Sequence, residues 1–304
     1  MEIFNISNLG QIKKDNKRRV AALGFFDGVH KAHKKIITEM LKETDIIPIV
    51  ITLDKSPKEY FGHTSVECLT PLEKKSEIFE ALGVQEVYYL SFNKQLQTLS
   101  AESYIDKVLK QLNVEKIFCG YDYKFGYKGA GTPKLMVDYG DIEVNILEEE
   151  MIGDRKISTT VLREFVESAN FTGYYDFTGR YYSISGVVVK GRQLGRTINF
   201  PTANLKMESS YLLPKTNGVY ITKTKVRDKI YKSITNIGYN PTVSEVKDKK
   251  FIETHILDFD AEIYGEMIEV YFYDFLRKEQ KFESFNHLKK QLQKDKMVCE
   301  QKEI

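Results

Sequence analysis

Two histidines three residues apart, His30 and His33, follow the run Gly24-Phe25-Phe26-Asp27-Gly28-Val29. That spacing puts both rings on one face of a helix. A glycine-bearing turn that opens a helix offers backbone N–H groups to an anion, and imidazole nitrogens add donors. The combination suits nucleotidyl transfer, a reaction carried mainly by positioning and by charge stabilisation at the phosphates. Ser158 and Thr159 stand at the start of a predicted helix, with Arg163 one turn on, where plain N-capping explains the two hydroxyls and is compatible with phosphate binding. A third group runs from Gly186 to Leu205. It reads as a strand, a loop holding Gly191 and Gly195, then Pro201-Thr202-Ala203-Asn204. Glycines let backbone amides approach phosphates. The oxygens of Thr202 and Asn204 are donors suited to a Mg²⁺ ion that keeps most of its waters and its nucleotide oxygens.

These groups need a scaffold, and the hydrophobic pattern supplies one. Val20 to Leu23, Ile46 to Leu53, Val87 to Leu90, Lys116 to Cys119 and Ile142 to Leu147 read as buried strands. Between and after them, His33 to Leu41, Pro71 to Leu82, Ala101 to Leu112 and Ser158 to Glu167 have helical spacing, with Gly83 as a stop. The alternation predicts a doubly wound, Rossmann-like parallel sheet with ligands beyond the carboxyl ends of its strands. After Asp176-Phe177-Thr178-Gly179 the helical period vanishes. Tyr181 to Val189, Gly218 to Val226, Ile230 to Ile237, Phe251 to Phe259 and Met267 to Phe275 are strand-like and separated by turn residues, which predicts an antiparallel β-barrel. A helix from Ser284 to Lys296 follows it. The expected domains are 1–180 and 181–304.

Composition sets outer bounds. The 304 residues suit two domains, and 42% hydrophobic with 29% charged is ordinary for a globular chain. A net charge of +2 gives no bulk field for nucleic acid or an anionic membrane, so neither partner is expected. Three widely spaced cysteines, Cys68, Cys119 and Cys299, argue against a disulfide framework or a zinc site and for a reducing cytoplasm. The longest clean apolar run, Ile46 to Leu53, is far below the roughly 20 residues that span a bilayer. Oligomeric state is not legible.

The residues quoted above resemble the bacterial bifunctional riboflavin kinase/FAD synthetase family. Gly24 to His33 is similar to its Gly-x-Phe-Asp-Gly-x-His-x-Gly-His signature. Gly120-Tyr121-Asp122-Tyr123-Lys124-Phe125-Gly126 is similar to its Gly-x-Asp-Phe-Arg-Phe-Gly loop, and Ile157 to Arg163 to its Ile-Ser-Ser-Thr-x-x-Arg motif. Gly186 to Leu205 matches the riboflavin kinase signature, and Asn236 to Thr242, Ile252 to Phe259 and Leu276 to Phe282 follow in the family's order. The resemblance implies phosphorylation of riboflavin to FMN by the barrel and adenylylation of FMN to FAD by the Rossmann-like domain, with ATP as co-substrate and Mg²⁺ as cofactor. It implies Glu253 as the base for the ribityl hydroxyl. It places His30, His33 and Arg163 in adenylyl transfer, and Gly24, Asp27, Gly28, Asp122, Phe125, Gly126, Ser158, Thr159, Gly191, Gly195 and Arg277 around the substrates. His255, on the same strand as Glu253, reads as structural.

The chain departs from the family pattern at Ala32, Ser56, Val161 and Asn199. The first three leave open a riboflavin kinase whose adenylyltransferase domain is impaired. A flavin- or RNA-binding regulator reusing both modules is a further alternative, disfavoured by the low net charge and by the presence of Thr202, Asn204 and Glu253.

Overall fold

The computed structural model describes residues 1–62, 66–191, 200–239 and 250–304. By packing, the chain divides into two compact units, Met1–Val161 and Leu162–Ile304.

In the first unit six parallel strands form one sheet. They are β1 (Glu2–Ile6), β2 (Arg19–Leu23), β3 (Ile47–Leu53), β4 (Glu86–Leu90), β5 (Val114–Gly120) and β6 (Glu143–Leu147), in the order β1-β4-β3-β2-β5-β6. Alternate side chains feed two cores. Val20, Ala22, Val50 and Val87 pack with Ile37, Met40 and Phe79 of helices α1 (Lys31–Met40) and α3 (Leu72–Leu82), the short helix α2 (Pro57–Gly62) lying between those two in the chain. Ala21, Leu23, Ile49 and Ile117 pack on the other face with Ile105, Val108 and Leu109. Every residue of β2 and β4 is buried, which is why their sequences run apolar instead of alternating. The chain order reverses between β2 and β5, so the crevice beyond their carboxyl ends is where such a sheet takes a ligand.

At the opposite end of the sheet a buried ion pair ties β2 to β4 and to the segment before β5. Arg19 Nε donates to Glu86 Oε2 at 2.8 Å, and its Nη1 donates to Asp15 at 2.8 Å and to the Leu112 carbonyl at 2.9 Å. The Tyr88 hydroxyl completes the shell around Glu86.

In the second unit six antiparallel strands close a barrel: β9 (Tyr182–Val189), β10 (Ala203–Lys206), β11 (Gly218–Val226), β12 (Lys229–Tyr239), β13 (Lys250–Ile256) and β14 (Met267–Lys278), in the order β10-β13-β12-β11-β14-β9. The two-residue strands β7 (Met151–Ile152) and β8 (Arg155–Lys156) form a hairpin ahead of it, followed by α7 (Thr159–Glu167) and α8 (Phe171–Thr178) once the short α4 (Lys94–Gln97), α5 (Ala101–Tyr104) and α6 (Pro133–Tyr139) are counted. Phe171 of α8 packs on Tyr182, Tyr220 and Phe272 of the barrel. Part of the barrel interior is polar. The hydroxyls of Thr222, Thr224, Ser233, Thr235 and Thr254 bond to one another at 2.8–3.0 Å, so each buried hydroxyl has a partner. The last helix, α9 (Phe285–Gln301), is N-capped by Ser284. Lys232 Nζ donates to the carbonyls of Glu300 and Lys302, which fastens its carboxyl end to β12.

The predicted doubly wound sheet and antiparallel barrel with a terminal helix are present. Strands β1 and β10 and helices α6 and α8 were not anticipated, and β13 stops at Ile256, short of the expected Phe259. The expected helix from Ala101 changes at Ile105 into a π-helical turn ending at Leu109.

Removing one partner of a buried ion pair strands a charge. Arg19→Met should therefore destabilise the first unit by about 3–5 kcal/mol, and Arg19→Met with Glu86→Leu should recover most of the loss. Urea unfolding followed by tyrosine fluorescence measures both.

Candidate active sites

The turn from β2 to α1 has an unusual backbone. Phe26, Gly28 and Val29 all have positive φ, at 55°, 79° and 32°, a region that non-glycine residues, β-branched ones above all, rarely adopt. The surroundings impose it. Asp27 Oδ1 accepts from the backbone N–H of Leu69 at 2.9 Å and of Thr70 at 3.0 Å, while Thr70 Oγ1 accepts from Gly28 N–H at 2.8 Å. The Phe26 ring folds back over Gly24, where a Cβ would come within 2.8 Å of it. The turn delivers His30 as the N-cap of α1, its Nδ1 accepting from His33 N–H at 3.1 Å. The two imidazoles stack with ring centroids 3.5 Å apart.

These rings line a cavity of about 280 Å³ beyond β2, β5 and β6. His30, His33, Asp122, Ser158 and Thr159 all reach it, so the structure brings together side chains from positions far apart in sequence. Ser158 Oγ accepts from Val161 N–H, and Thr159 Oγ1 donates to the Asp27 carbonyl at 3.1 Å, which ties the start of α7 to the β2–α1 turn. Gly24, Asp27 and Gly28 shape the turn and do not line the cavity. Phe125 is buried against Tyr104 and Tyr123 and bridges to Gly131. Gly126 has φ 71° and sits where a Cβ would meet the Ala101 backbone at 2.9 Å. Arg163 is half-buried in α7, one turn beyond Thr159.

Lys35, Tyr121, Lys156 and the run Glu148 to Glu150 also line the cavity, and the sequence reading did not single them out. Lys156 Nζ pairs with Glu149 at 2.6 Å and with the Tyr121 hydroxyl, and Lys35 pairs with Glu150. The carboxylates hold both ammonium pKa values above the ordinary range. Such part-exposed pairs add little to stability. Their adjacency to His33 and Ser158 is the one signal that pointed to them.

On the barrel a second site is set by strand register. Asn204 of β10 faces Glu253 of β13, and Glu253 faces Asn236 of β12, so three polar side chains stand in a row across three strands. Asn236 Nδ2 donates to Glu279 at 3.3 Å, while its buried Oδ1 has no hydrogen-bond partner among the described residues. A Cβ on Gly191 would overlap the Asn204 carboxamide, so only glycine allows this approach. Thr202 lies one residue before β10. His255 Nδ1 bonds the Pro201 carbonyl at 2.8 Å and its ring packs on Phe200, which fixes the segment leading to Thr202. Burial lowers the His255 pKa. Arg277 is taken up by Asp295 of α9, with Nε and Nη2 bonds at 3.0 and 2.7 Å. Gly195 lies outside the described residues.

Comparison with known proteins agrees with this division. Residues 12–161 match the family model described as FAD synthetase, and residues 178–302 match the one described as riboflavin kinase. The chain is 35% identical to the bifunctional riboflavin kinase/FMN adenylyltransferase of Bacillus subtilis, over 94% of this chain and 92% of that one. It is 37% identical to the protein of the same name from Listeria monocytogenes, over 91% and 90%. This chain belongs to the bifunctional riboflavin kinase/FMN adenylyltransferase family. A solved structure named as a macrolide-efflux protein from Streptococcus pneumoniae shares the architecture, with a TM-score of 0.89 and 28% identity over the full length of both chains. Among the described residues of the present family member, no helix is long and apolar enough to cross a membrane. Of its departures from the family pattern, Ala32 lines the cavity and Val161 lies in the first turn of α7. Ser56 immediately precedes α2.

Asp27→Ala leaves two buried backbone donors without their acceptor. It should cost the first unit about 2–4 kcal/mol. Asp27→Asn, which keeps an acceptor oxygen, should lose less. Thermal or urea unfolding of the two variants reads the difference.

Proposed function

We propose that this chain phosphorylates riboflavin to FMN on the barrel and adenylylates FMN to FAD at the cavity of the first unit, with ATP serving both reactions. The observation that carries the first half is the Asn204–Glu253–Asn236 row beside the Gly191 approach. Glu253 takes the proton of the terminal ribityl hydroxyl as that oxygen attacks the γ-phosphorus of ATP, and ADP leaves. The unsatisfied Asn236 Oδ1 suits a hydroxyl donor from the same substrate. Among the described residues no group of three or more His, Cys, Asp or Glu side chains is placed to hold a metal, so a cation here would rely on neutral oxygens. Thr202 and Asn204 fit that role, since the bare backbone at Gly191 leaves the Asn204 carboxamide room that a Cβ would fill. Bound there, Mg²⁺ would neutralise charge on the ATP phosphate oxygens.

In the first unit an oxygen of the FMN phosphate attacks the α-phosphorus of ATP and pyrophosphate leaves. His30, His33, Ser158 and Thr159 hold the phosphates, and the N-termini of α1 and α7 add their dipoles. Lys156 and Lys35 bring ammonium groups to the same wall, and they offset the cation missing at Val161. The buried and half-buried cysteine thiols suit a reducing cytoplasm, where we place the enzyme.

Glu253→Gln should lower FMN formation by roughly 10²- to 10⁴-fold, the usual worth of a positioned base, while FAD formation from supplied FMN is unchanged. His30→Ala with His33→Ala should do the converse. Chromatography of products from each variant decides. Wild-type FMN formation by Glu253→Gln would remove Glu253 from the mechanism, and wild-type FAD formation by the double variant would remove the cavity.

A further inference from the structure

Lys75 of α3 is a lysine in a place where a charge is costly. It is 2% exposed, and among the described residues no carboxylate lies within ion-pair distance of it. Its Nζ donates to the Phe25 carbonyl at 3.2 Å, and the Thr52 hydroxyl donates to the same oxygen at 3.1 Å. The ammonium also stands over the Phe25 ring at 4.6 Å and the Tyr89 ring at 5.9 Å. Phe25 is the last residue before the three positive-φ positions of the β2–α1 turn. A strained turn persists only where its surroundings over-determine it. Asp27 and Thr70 hold the far side of this one, and Lys75 and Thr52 hold the near side.

We propose that Lys75 is a positioning residue for adenylyl transfer: its ammonium anchors the Phe25 carbonyl, and through it the turn that presents His30 and His33. The inference rests on the assignment of FAD formation to this cavity. A neutral amine is a weaker donor and forfeits the attraction of the two rings. Burial brings the Lys75 pKa down to about 8. The titratable groups facing it are Asp27 in the turn, Cys68 ahead of α3, Asp54 after β3 and the hydroxyl-bearing Tyr89 on β4; the first three favour the charged form. The ammonium that bonds the Phe25 carbonyl is therefore the main form below about pH 8, and the weaker-donating neutral amine the main form above it.

The test compares wild type with Lys75→Met and Lys75→Gln, the latter keeping a neutral N–H donor. FAD formation from FMN by wild type should fall as pH rises through about 8. Lys75→Met should be slower at pH 7 by roughly 10- to 100-fold in kcat, with little change in KM, because misplaced donors cost the transition state. Lys75→Gln should recover part of that rate with no inflection near pH 8. FMN formation should be unaltered in both. A second readout is independent of turnover. The ¹³C-labelled imidazole resonances of His30 and His33 should show a secondary inflection near pH 8 in wild type and lose it in both variants. An inflection that persists in Lys75→Met, in either the rate or the resonances, overturns the proposal. Wild type that makes no FAD at any pH would fault the assignment of the cavity, and the resonances would then still decide the role of Lys75.

Discussion

The amino-terminal site depends on a single carboxylate. Asp27 draws the backbone of Leu69 and Thr70 onto the β2–α1 turn, and only with that clasp closed do Phe26 and Val29 stay in the left-handed region. From there the consequences are geometric. The chain leaves β2 and reverses, and it enters α1 with His30 as its cap. The Thr159 hydroxyl then reaches the Asp27 carbonyl and sets the start of α7 beside the same turn. Two helix N-termini and two imidazoles thus face one cavity, although none of these groups would find the others without the clasp.

The barrel solves a similar problem by register. A one-residue slip between β10 and β13 would turn Asn204 to the opposite face from Glu253. The barrel strands beyond that pair are held from both sides. Inside, the threonine and serine hydroxyls bond across β11, β12 and β13 in the present pairing. Outside, the Arg277–Asp295 pair and the Lys232 bonds to the last carbonyls of α9 lock the helix against the strands. Arg277 therefore has a structural task whatever it does toward a substrate.

Much of this was legible in the sequence. The unbroken apolar runs of β2, β3 and β4 could only be strands covered on both faces, and Gly83 and Ser284 marked the end and the beginning of helices as read. The histidine pair and Asn204 are read from residue type and spacing, whereas Glu253 and Ser158 with Thr159 come from the resemblance of their motifs. Other features left weaker traces. β1 is an edge strand, mostly exposed and half polar, and so lacks an apolar pattern. β10 is four residues long. Lys35 and Lys156 look like ordinary surface lysines until β5 and β6 place them on a cavity wall. Lys75 sits on the apolar stripe of α3 with Leu72, Phe79 and Leu82, and a charge on that stripe was the available clue to its burial.

The central claim is that two sites on one chain carry riboflavin through FMN to FAD. The most direct measurement is a time course of products, separated by chromatography, from the unmutated chain with riboflavin, excess ATP and Mg²⁺. FMN should appear first and FAD should follow from it more slowly, and FMN supplied alone should yield FAD. FMN that accumulates with no FAD, even when purified FMN is supplied, would contradict the account.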